Sequence, residues 1–174
     1  MSKNDLEKLN EQLLKIKCFI YDSCGFNLSE IYEEENKDYG AYKFKLNNSN
    51  VCFRTAKITP TKVGQFVTFW KRNSEDKKIW PYDISDNIDY LVISVCNKKN
   101  FGQFVFPKSV LSEKRIISKN GIGGKRALRV YPPWDKVSNK QAENTQSWQL
   151  QYFLNLSENK ALDISFVKTL YSQI

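Results

Sequence analysis

The sequence contains no histidine, and this absence excludes several common kinds of catalytic site. Ser–His and Cys–His nucleophilic pairs, a histidine general base and an HExxH zinc site all require an imidazole. Catalysis by this chain would therefore have to use carboxylates, lysine, tyrosine or a hard metal ion.

Long apolar runs and paired cysteines are also lacking. No stretch of about 18 apolar residues is present, so we expect no transmembrane span and no membrane partner. The first residues are charged and amphipathic, unlike a secretory signal, and we therefore expect a cytoplasmic protein. The four cysteines are scattered without a CxxC pair, which predicts reduced thiols, no disulfide and no structural zinc.

Hydrophobic periodicity predicts the order of helices and strands. Apolar residues at three- and four-residue steps predict a helix over residues 4–21, and Ser29 is a candidate N-cap for a short acidic helix or loop. Further along we predict a hairpin at 42–46 and 51–54, a strand at 65–70, a hairpin at 90–95 and 103–106, a short helix from 107, strands at 115–117 and 127–131, and helices at 138–156 and 163–170.

These elements predict an α+β fold, with a mostly antiparallel twisted sheet flanked by an N-terminal helix and C-terminal helices. A length of 174 residues with 41% hydrophobic residues suits one globular domain, which we place over residues 1–174 and assume to be monomeric. Residues 120–126, NGIGGKR, lack the spacing of a P-loop and predict a flexible hairpin tip that carries two cations.

The positive charge is unevenly distributed. The net charge is +8, but residues 1–38 carry −4 and residues 39–174 carry +12. Two windows contain no acidic residue at all. The first acid-free window, residues 39–74, holds Lys43, Lys45, Arg54, Lys57, Lys62, Lys71 and Arg72, and the second, residues 114–134, holds Lys114, Arg115, Lys119, Lys125, Arg126 and Arg129.

Cations without acidic neighbours in sequence are typical of a surface that meets a polyanion. The alternative is ordinary solvated surface, with the acids supplied by other parts of the fold. Aromatic residues beside cations, as in Trp70-Lys71-Arg72 and Arg129-Val130-Tyr131, favour nucleic acid because bases stack on such rings. The alternative for these rings is burial in the core.

Carboxylates that could hold a metal ion are few. Asp83, Asp86 and Asp89 occur at three-residue steps before the apolar YLVISV segment, and carboxylates near a lysine could hold Mg²⁺ for phosphodiester hydrolysis. The alternative is that aspartates at this spacing serve as turn and cap residues.

Four stretches carry a resemblance to a known family: FRTAKITPTKVGQFVTFWKR, GQFVFPK, GGKRALRVYPPWD and TQSWQLQYF. Between about Gly40 and Phe153 the chain resembles the MepB family of small bacterial proteins, some of which are encoded beside a multidrug efflux pump and its repressor. The resemblance implies a nucleic-acid-associated protein and a relation to the restriction-endonuclease-like fold. A nuclease of that type needs Asp/Glu-x-Lys, whereas Thr55-Ala56-Lys57 has threonine in the acidic position, which disfavours catalysis.

The leading hypothesis is a nucleic-acid-binding protein, for DNA or RNA, of low sequence specificity and without a cofactor. One alternative is a Mg²⁺-dependent nuclease that uses Asp86 or Asp89 with Lys57 or a neighbouring lysine, and another is a module that binds an acidic protein. Glutamines, including Gln146 and Gln149, are expected to contact bases or sugars. The predicted nucleic-acid-binding residues are Arg54, Lys57, Lys62, Gln65, Trp70, Lys71, Arg72, Gln103, Lys125, Arg126, Arg129 and Tyr131.

Overall fold

The computed structural model describes residues 9–35, 37–73, 75–157 and 161–172. The α-helices in these ranges are α1 (Glu11–Ile16), α2 (Lys108–Glu113), α3 (Lys140–Gln149) and α4 (Ile164–Leu170). A π-helical segment, Lys17–Tyr21, continues α1, and two 3-10 helices span Lys37–Tyr39 and Leu150–Tyr152. The strands are β1 (Leu28–Glu33), β2 (Tyr42–Leu46), β3 (Ser49–Thr55), β4 (Lys57–Thr59), β5 (Lys62–Thr68), β6 (Lys71–Arg72), β7 (Ile79–Trp80), β8 (Tyr90–Cys96), β9 (Phe101–Pro107), β10 (Ser118–Lys119), β11 (Ile122–Gly123), β12 (Ala127–Val130) and β13 (Phe153–Asn155).

A six-stranded sheet in the order β1-β2-β3-β8-β9-β13 forms the centre of the molecule. Its strands pair in antiparallel fashion except for β3 and β8, which run parallel. The predicted hairpins β2–β3 and β8–β9 are confirmed. Most of β8 is buried, as its continuous apolar sequence predicts for a central strand with both faces covered. The predicted α+β class with a mainly antiparallel sheet is therefore confirmed.

Each face of the central sheet packs against its own hydrophobic core. On the first face, α1 and α4 contribute side chains such as Leu13, Ile16 and Val167. On the second face, β5 and β12 contribute Val67 and Val130. These two strands belong to a small sheet of order β12-β5-β4, so burial of their apolar side chains fixes the small sheet against the large one. Two short hairpins, β6–β7 and β10–β11, complete the strand pairing of the described residues.

The repeated GQFV sequence occurs in two strands that belong to different sheets. Gly64 is on β5 and Gly102 is on β9. A Cβ atom at Gly64 would lie 2.7 Å from the ring of Tyr131, and one at Gly102 would collide with the ring of Phe153. Both glycines are therefore required because an aromatic ring from a neighbouring segment lies directly over the backbone.

The N-terminal part of the fold differs from two sequence predictions. The helix predicted over residues 4–21 begins, as described, after Asn10, whose side chain accepts a hydrogen bond from the Leu13 N–H at 2.8 Å. Residues 4–8 of that prediction lie outside the described residues. The acidic helix or loop with Ser29 as its cap is wrong, since these residues form the edge strand β1. An edge strand with a solvated face tolerates charge. Glu30 on β1 pairs with Lys45 on β2, and Glu34, directly after β1, pairs with Lys43.

Two further predictions fail in the C-terminal half. Residues 115–117 form a turn instead of a strand, with Arg115 in the left-handed region at φ 54°. The helix predicted from Ser138 to about Leu156 is shorter, because α3 starts after Asn139 and ends at Gln149. The following β13 pairs with β9, which buries Phe153 in the second core and Leu154 in the first. The final helix, α4, begins at its predicted cap residue Asp163.

Among the described residues, no helix has the length and apolar content needed to cross a membrane.

Candidate functional site

An open groove of about 740 Å³ separates the β6–β7 hairpin from the β10–β11 hairpin. Three cationic side chains and an exposed tryptophan line it, and a single aspartate is the one acid among the lining residues. The full lining is Arg72, Asp76, Lys78, Ile79, Trp80, Pro81, Gly123, Gly124 and Arg126. We call this feature the basic groove.

The cations of the basic groove differ in how firmly they are held. Arg72 donates to Glu35 Oε2 at 2.7 Å and to the carbonyl oxygen of Lys77. Lys78 and Arg126 are exposed and form no ion pair with any residue that the structure describes. The neighbouring Lys125 is also exposed and likewise has no acidic partner within the described ranges. These three side chains can therefore meet an external anion without breaking an internal pair.

Trp80 is the aromatic wall of the basic groove. It is 43% exposed, and its indole Nε1 donates to Asp76 Oδ2 at 3.3 Å, which restrains the orientation of the ring. Our residue-by-residue prediction omitted both Trp80 and Lys78. Their signal in the sequence was the pattern KKIW, in which two lysines precede a short pair of strand-forming residues.

The β10–β11 hairpin forms the opposite wall. A hairpin is therefore present where residues 120–126 predict one, but its strands end at Gly123, so the two predicted cations, Lys125 and Arg126, follow the hairpin instead of lying at its tip. Asn120 and Gly121 occupy the turn with positive φ values, as a two-residue hairpin loop requires. Asp83 Oδ2 accepts hydrogen bonds from the Gly121 N–H at 3.0 Å and from Ser118 Oγ at 2.7 Å. The hydrogen bond from Gly121 has the largest effect, followed by those from Ser118 and Ser85. Together they hold the pKa of the Asp83 carboxyl well below its usual value.

A second, smaller pocket of about 300 Å³ surrounds Arg54. Arg54 is only 1% exposed, and its Nη2 donates to Glu34 Oε2 at 2.6 Å. Lys43 and the hydroxyl of Tyr82 contact the other oxygen of the same carboxylate. Burial pushes the pKa of Glu34 upward, but Arg54 and Lys43 outweigh this effect and the pKa lies below its usual value. Arg54 is a buried structural cation, so in this conformation its side chain is not accessible for the predicted contact with nucleic acid.

The glutamines predicted to contact bases are used inside the protein. Gln65 donates to the Cys96 carbonyl oxygen at 3.1 Å, and Gln103 donates to Tyr171 Oη at 3.2 Å. Both side chains are buried, so direct contact with a nucleic acid is excluded in this conformation. Gln149 and Gln146 similarly donate to backbone carbonyls next to α3. The backbone and a tyrosine satisfy the NH₂ groups of Gln65 and Gln103, whereas the Oε1 atoms of both side chains are buried without a hydrogen-bond partner among the described residues.

Several other predicted residues serve the packing of the small sheet. Arg129 donates to the Gly64 carbonyl oxygen at 2.9 Å and to Thr59 Oγ1 at 3.0 Å. The ring of Tyr131 lies over Gly64 and its own position is half-buried. Trp70 is also half-buried, with the guanidinium of Arg72 5.6 Å from its ring centroid. Arg129, Tyr131 and Trp70 therefore have packing or hydrogen-bonding roles inside the protein, and none of the three is fully accessible to a ligand.

Lys57 and Lys62 lie on the small sheet, away from the lining of the basic groove. Both are exposed, and the ammonium of Lys57 lies 4.7 Å from the ring centroid of Tyr39. Lys71, in contrast, is engaged by Asp86 at 2.6 Å. Of the predicted cations, the structure therefore brings together Arg72 and Arg126 in the groove, with Lys125 beside them.

The candidate nuclease residues are not brought together. Asp89 Oδ2 accepts hydrogen bonds from the backbone and side chain of Asn50, where β3 and β8 begin, whereas Lys57 follows the other end of β3. The length of β3, at roughly 3.3 Å per residue, separates them by about 20 Å. Asp86 is occupied by Lys71 and by the Asp83 N–H. Within the described residues, no group of three or more His, Cys, Asp or Glu side chains could hold a metal ion.

Comparison with known proteins places this architecture in a family. The family model described as MepB-like matches residues 33–155, which is more than half of the chain. The chain belongs to the MepB-like family. The matched segment contains the basic groove and the Arg54 pocket, so both features lie within the part that the family defines.

A solved structure extends the MepB-like match beyond that segment. The chain is similar to a crystal structure of MepB, with 38% sequence identity and a TM-score of 0.74. The similarity covers 92% of this chain and 100% of the MepB chain. No curated protein matches the chain. The MepB resemblance inferred from the four sequence stretches is therefore confirmed.

Proposed function

We propose that the protein binds nucleic acid through the basic groove, with low sequence specificity. The observation that supports this proposal is the combination, in one open groove, of unpaired cations and an exposed indole. Lys78 and Arg126 supply charge for phosphates, and Trp80 supplies a flat face for a base.

The chemistry of the lining favours low specificity. Lysine and arginine head groups on phosphates fix the position of a strand and carry no information about its sequence. Stacking on Trp80 is equally tolerant, because every base has a π face. The predicted base-reading amides, Gln65 and Gln103, are buried and take no part in the proposed interface.

Binding of labelled 20-nucleotide single strands and 20-base-pair duplexes, followed by fluorescence anisotropy across a salt series, tests the proposal. Affinity should fall as salt rises, because neutralised phosphates release counterions. The double variant Lys78→Glu/Arg126→Glu should bind at least about 100-fold more weakly at low salt, and Trp80→Ala about tenfold more weakly.

The matched control is Lys140→Glu/Lys168→Glu, which makes the same change in net charge at exposed positions on α3 and α4. If the control weakens binding as much as the groove variant, the interaction reports overall charge and the groove is not the site. Absence of binding at low salt by the unmodified protein would overturn the proposed function itself.

A further inference from the structure

The tip of the β10–β11 hairpin presents a large apolar side chain to solvent. Ile122 is 80% exposed, the highest exposure among the exposed large hydrophobic residues of the described chain. It directly precedes Gly123 and Gly124, which line the basic groove. Single exposed apolar residues are common on protein surfaces, so exposure alone does not mark Ile122 as a contact residue. What distinguishes Ile122 is its place at the tip of a hairpin that forms one wall of the basic groove.

The hairpin that carries Ile122 is held firmly from two sides. On one side, Asp83 accepts hydrogen bonds from Gly121 and Ser118, and the Ser118 N–H donates to the Tyr82 carbonyl oxygen at 2.8 Å. On the other side, Gly124 packs so closely on Pro81 that an added Cβ would lie 2.7 Å from the proline Cβ. Ile122 is therefore presented on a braced projection, which lowers the entropy lost when it is inserted into a partner.

The charges around the tip indicate the chemistry of that partner. Lys119 and Lys125 flank the hairpin, and neither forms an ion pair with a residue in the described ranges. The whole of residues 114–134 lacks an acidic side chain. The Asp83 carboxylate also lies at the tip, but hydrogen bonds from Gly121, Ser118 and Ser85 already occupy it, and the two lysines leave the surroundings net positive. An apolar tip in a net positive setting complements stacked bases between two phosphate backbones.

We propose that Ile122 is a wedge that enters a base step of duplex DNA held in the basic groove. This inference rests on the proposed function and adds to it a substrate class, duplex DNA, and a mode of binding. Apolar side chains inserted from the minor groove unstack a base step and bend the duplex, and the bend brings more backbone onto the protein. Steps that unstack easily, such as TA, or a mismatched pair should therefore bind more tightly.

The wedge is tested with a 20-base-pair duplex carrying a donor and an acceptor dye at its ends. The unmodified protein should raise energy transfer on binding, because bending shortens the distance between the ends. Ile122→Ser should abolish this rise and weaken duplex binding about tenfold, while Ile122→Leu should retain both. Ile164→Ser, at an exposed isoleucine on α4, is the matched control and should behave as the unmodified protein.

Other outcomes separate this inference from the proposed function. Duplex binding without a change in energy transfer, and with Ile122→Ser unaffected, would overturn the wedge and leave the groove proposal standing. An equal loss of single-strand and duplex affinity in Ile122→Ser would also overturn it, since it would indicate stacking on a single strand. Ile122-dependent binding to vesicles of anionic phosphatidylserine, with no bending of DNA, would show that the tip serves a lipid surface. No binding to either DNA form at low salt would overturn both proposals.

Discussion

The two acid-free windows look alike in sequence and are treated in opposite ways by the fold. In the first window, ion pairs engage Lys43, Lys45, Arg54, Lys71 and Arg72. Their partners are Glu30, Glu34, Glu35 and Asp86, all of which lie outside the window. Of the two remaining cations, Lys57 lies over the ring of Tyr39. Most of the first window is therefore ordinary protein surface whose cations pair with acids from other parts of the chain, and not a surface open to a polyanion.

The second window keeps most of its cations exposed, although Arg129 is half-buried against the Gly64 carbonyl oxygen. Lys114 pairs with Glu113, but among the described residues no acid pairs with Arg115, Lys119, Lys125 or Arg126. The reason is topological. Glu30, Glu34 and Glu35 lie on β1 or directly after it and pair with cations of the first window, and among the described residues none of them pairs with a cation of the second. Glu35 approaches the basic groove only through its ion pair with Arg72. A stretch of sequence without acidic residues thus indicates an anion-binding surface only where the fold brings no acidic side chain from another segment to its cations.

The strongest test of this comparison is Arg54→Met in the first window. The substitution leaves the half-buried carboxylate of Glu34 without its closest cation, and we expect the free energy of unfolding to fall by about 3–5 kcal/mol. Urea denaturation followed by tryptophan fluorescence measures this change. Arg54→Met/Glu34→Gln should recover part of the loss because the more buried charge, the Glu34 carboxylate, is then neutral, and the Lys43 ammonium that loses its partner is partly exposed to solvent. A loss below about 1 kcal/mol in the single variant would contradict the structural role of Arg54.

The next largest effect should come from the glycines that shape the second window. Gly124→Ala places a Cβ 2.8 Å from the Ser118 backbone nitrogen at a positive φ, so we expect a destabilisation of about 2–4 kcal/mol. Gly123→Ala has the same kind of φ but open space around it, and should cost about 1 kcal/mol. Urea denaturation of both variants measures the difference. Equal losses would show that the hairpin does not pack on Pro81.

Much of the fold was predictable because local patterns and tertiary packing agree. The alternating and continuous apolar runs of β2, β3, β8 and β9 were recognised, as was the cap of α4 at Asp163. The edge strand β1 was missed because its acidic composition resembles a loop, and β13 was missed because pairing with β9 ends a helix pattern that could otherwise continue. These are tertiary effects, which local propensity does not encode.

The candidate site was less predictable than the fold. Arg126, Arg72 and Lys125 were identified from charge alone, but charge could not separate them from Arg54 and Arg129, which the fold turns inward. Trp80 was not singled out because its exposure depends on the β6–β7 hairpin lying beside β10–β11. The ion pairs between the first window and distant acids could not be predicted either, because they depend on tertiary contacts such as the register between β1 and β2 and the approach of Asp86 to Lys71.

The pH dependence of stability tests the ion pairs of the first window, because Glu34 is the acidic partner of two of its cations, Lys43 and Arg54. Its pKa in the folded state lies below the ordinary value of 4.5, so its ionised form stabilises the fold above that pH. This contribution should be lost as pH falls through the lowered folded-state pKa. Urea midpoints measured from pH 6 to pH 3 should therefore fall more steeply for the unmodified protein than for Glu34→Gln. If the urea midpoints of the two proteins fell in parallel with pH, the ionised carboxylate of Glu34 would not contribute to stability.

The smallest effect is expected at Lys45, the exposed counterpart of Arg54 within the same window. Its ammonium lies 2.8 Å from Glu30 Oε1, but both side chains are substantially exposed. Solvent screening and the entropy of two long side chains leave such a pair with about 0–1 kcal/mol, so Lys45→Gln should barely change the urea midpoint. Its affinity for labelled duplex should also stay within about twofold, in contrast to the groove variants, because this cation already has an internal partner. A large loss of binding in Lys45→Gln would extend the interface onto β2 and remove the distinction between the two windows.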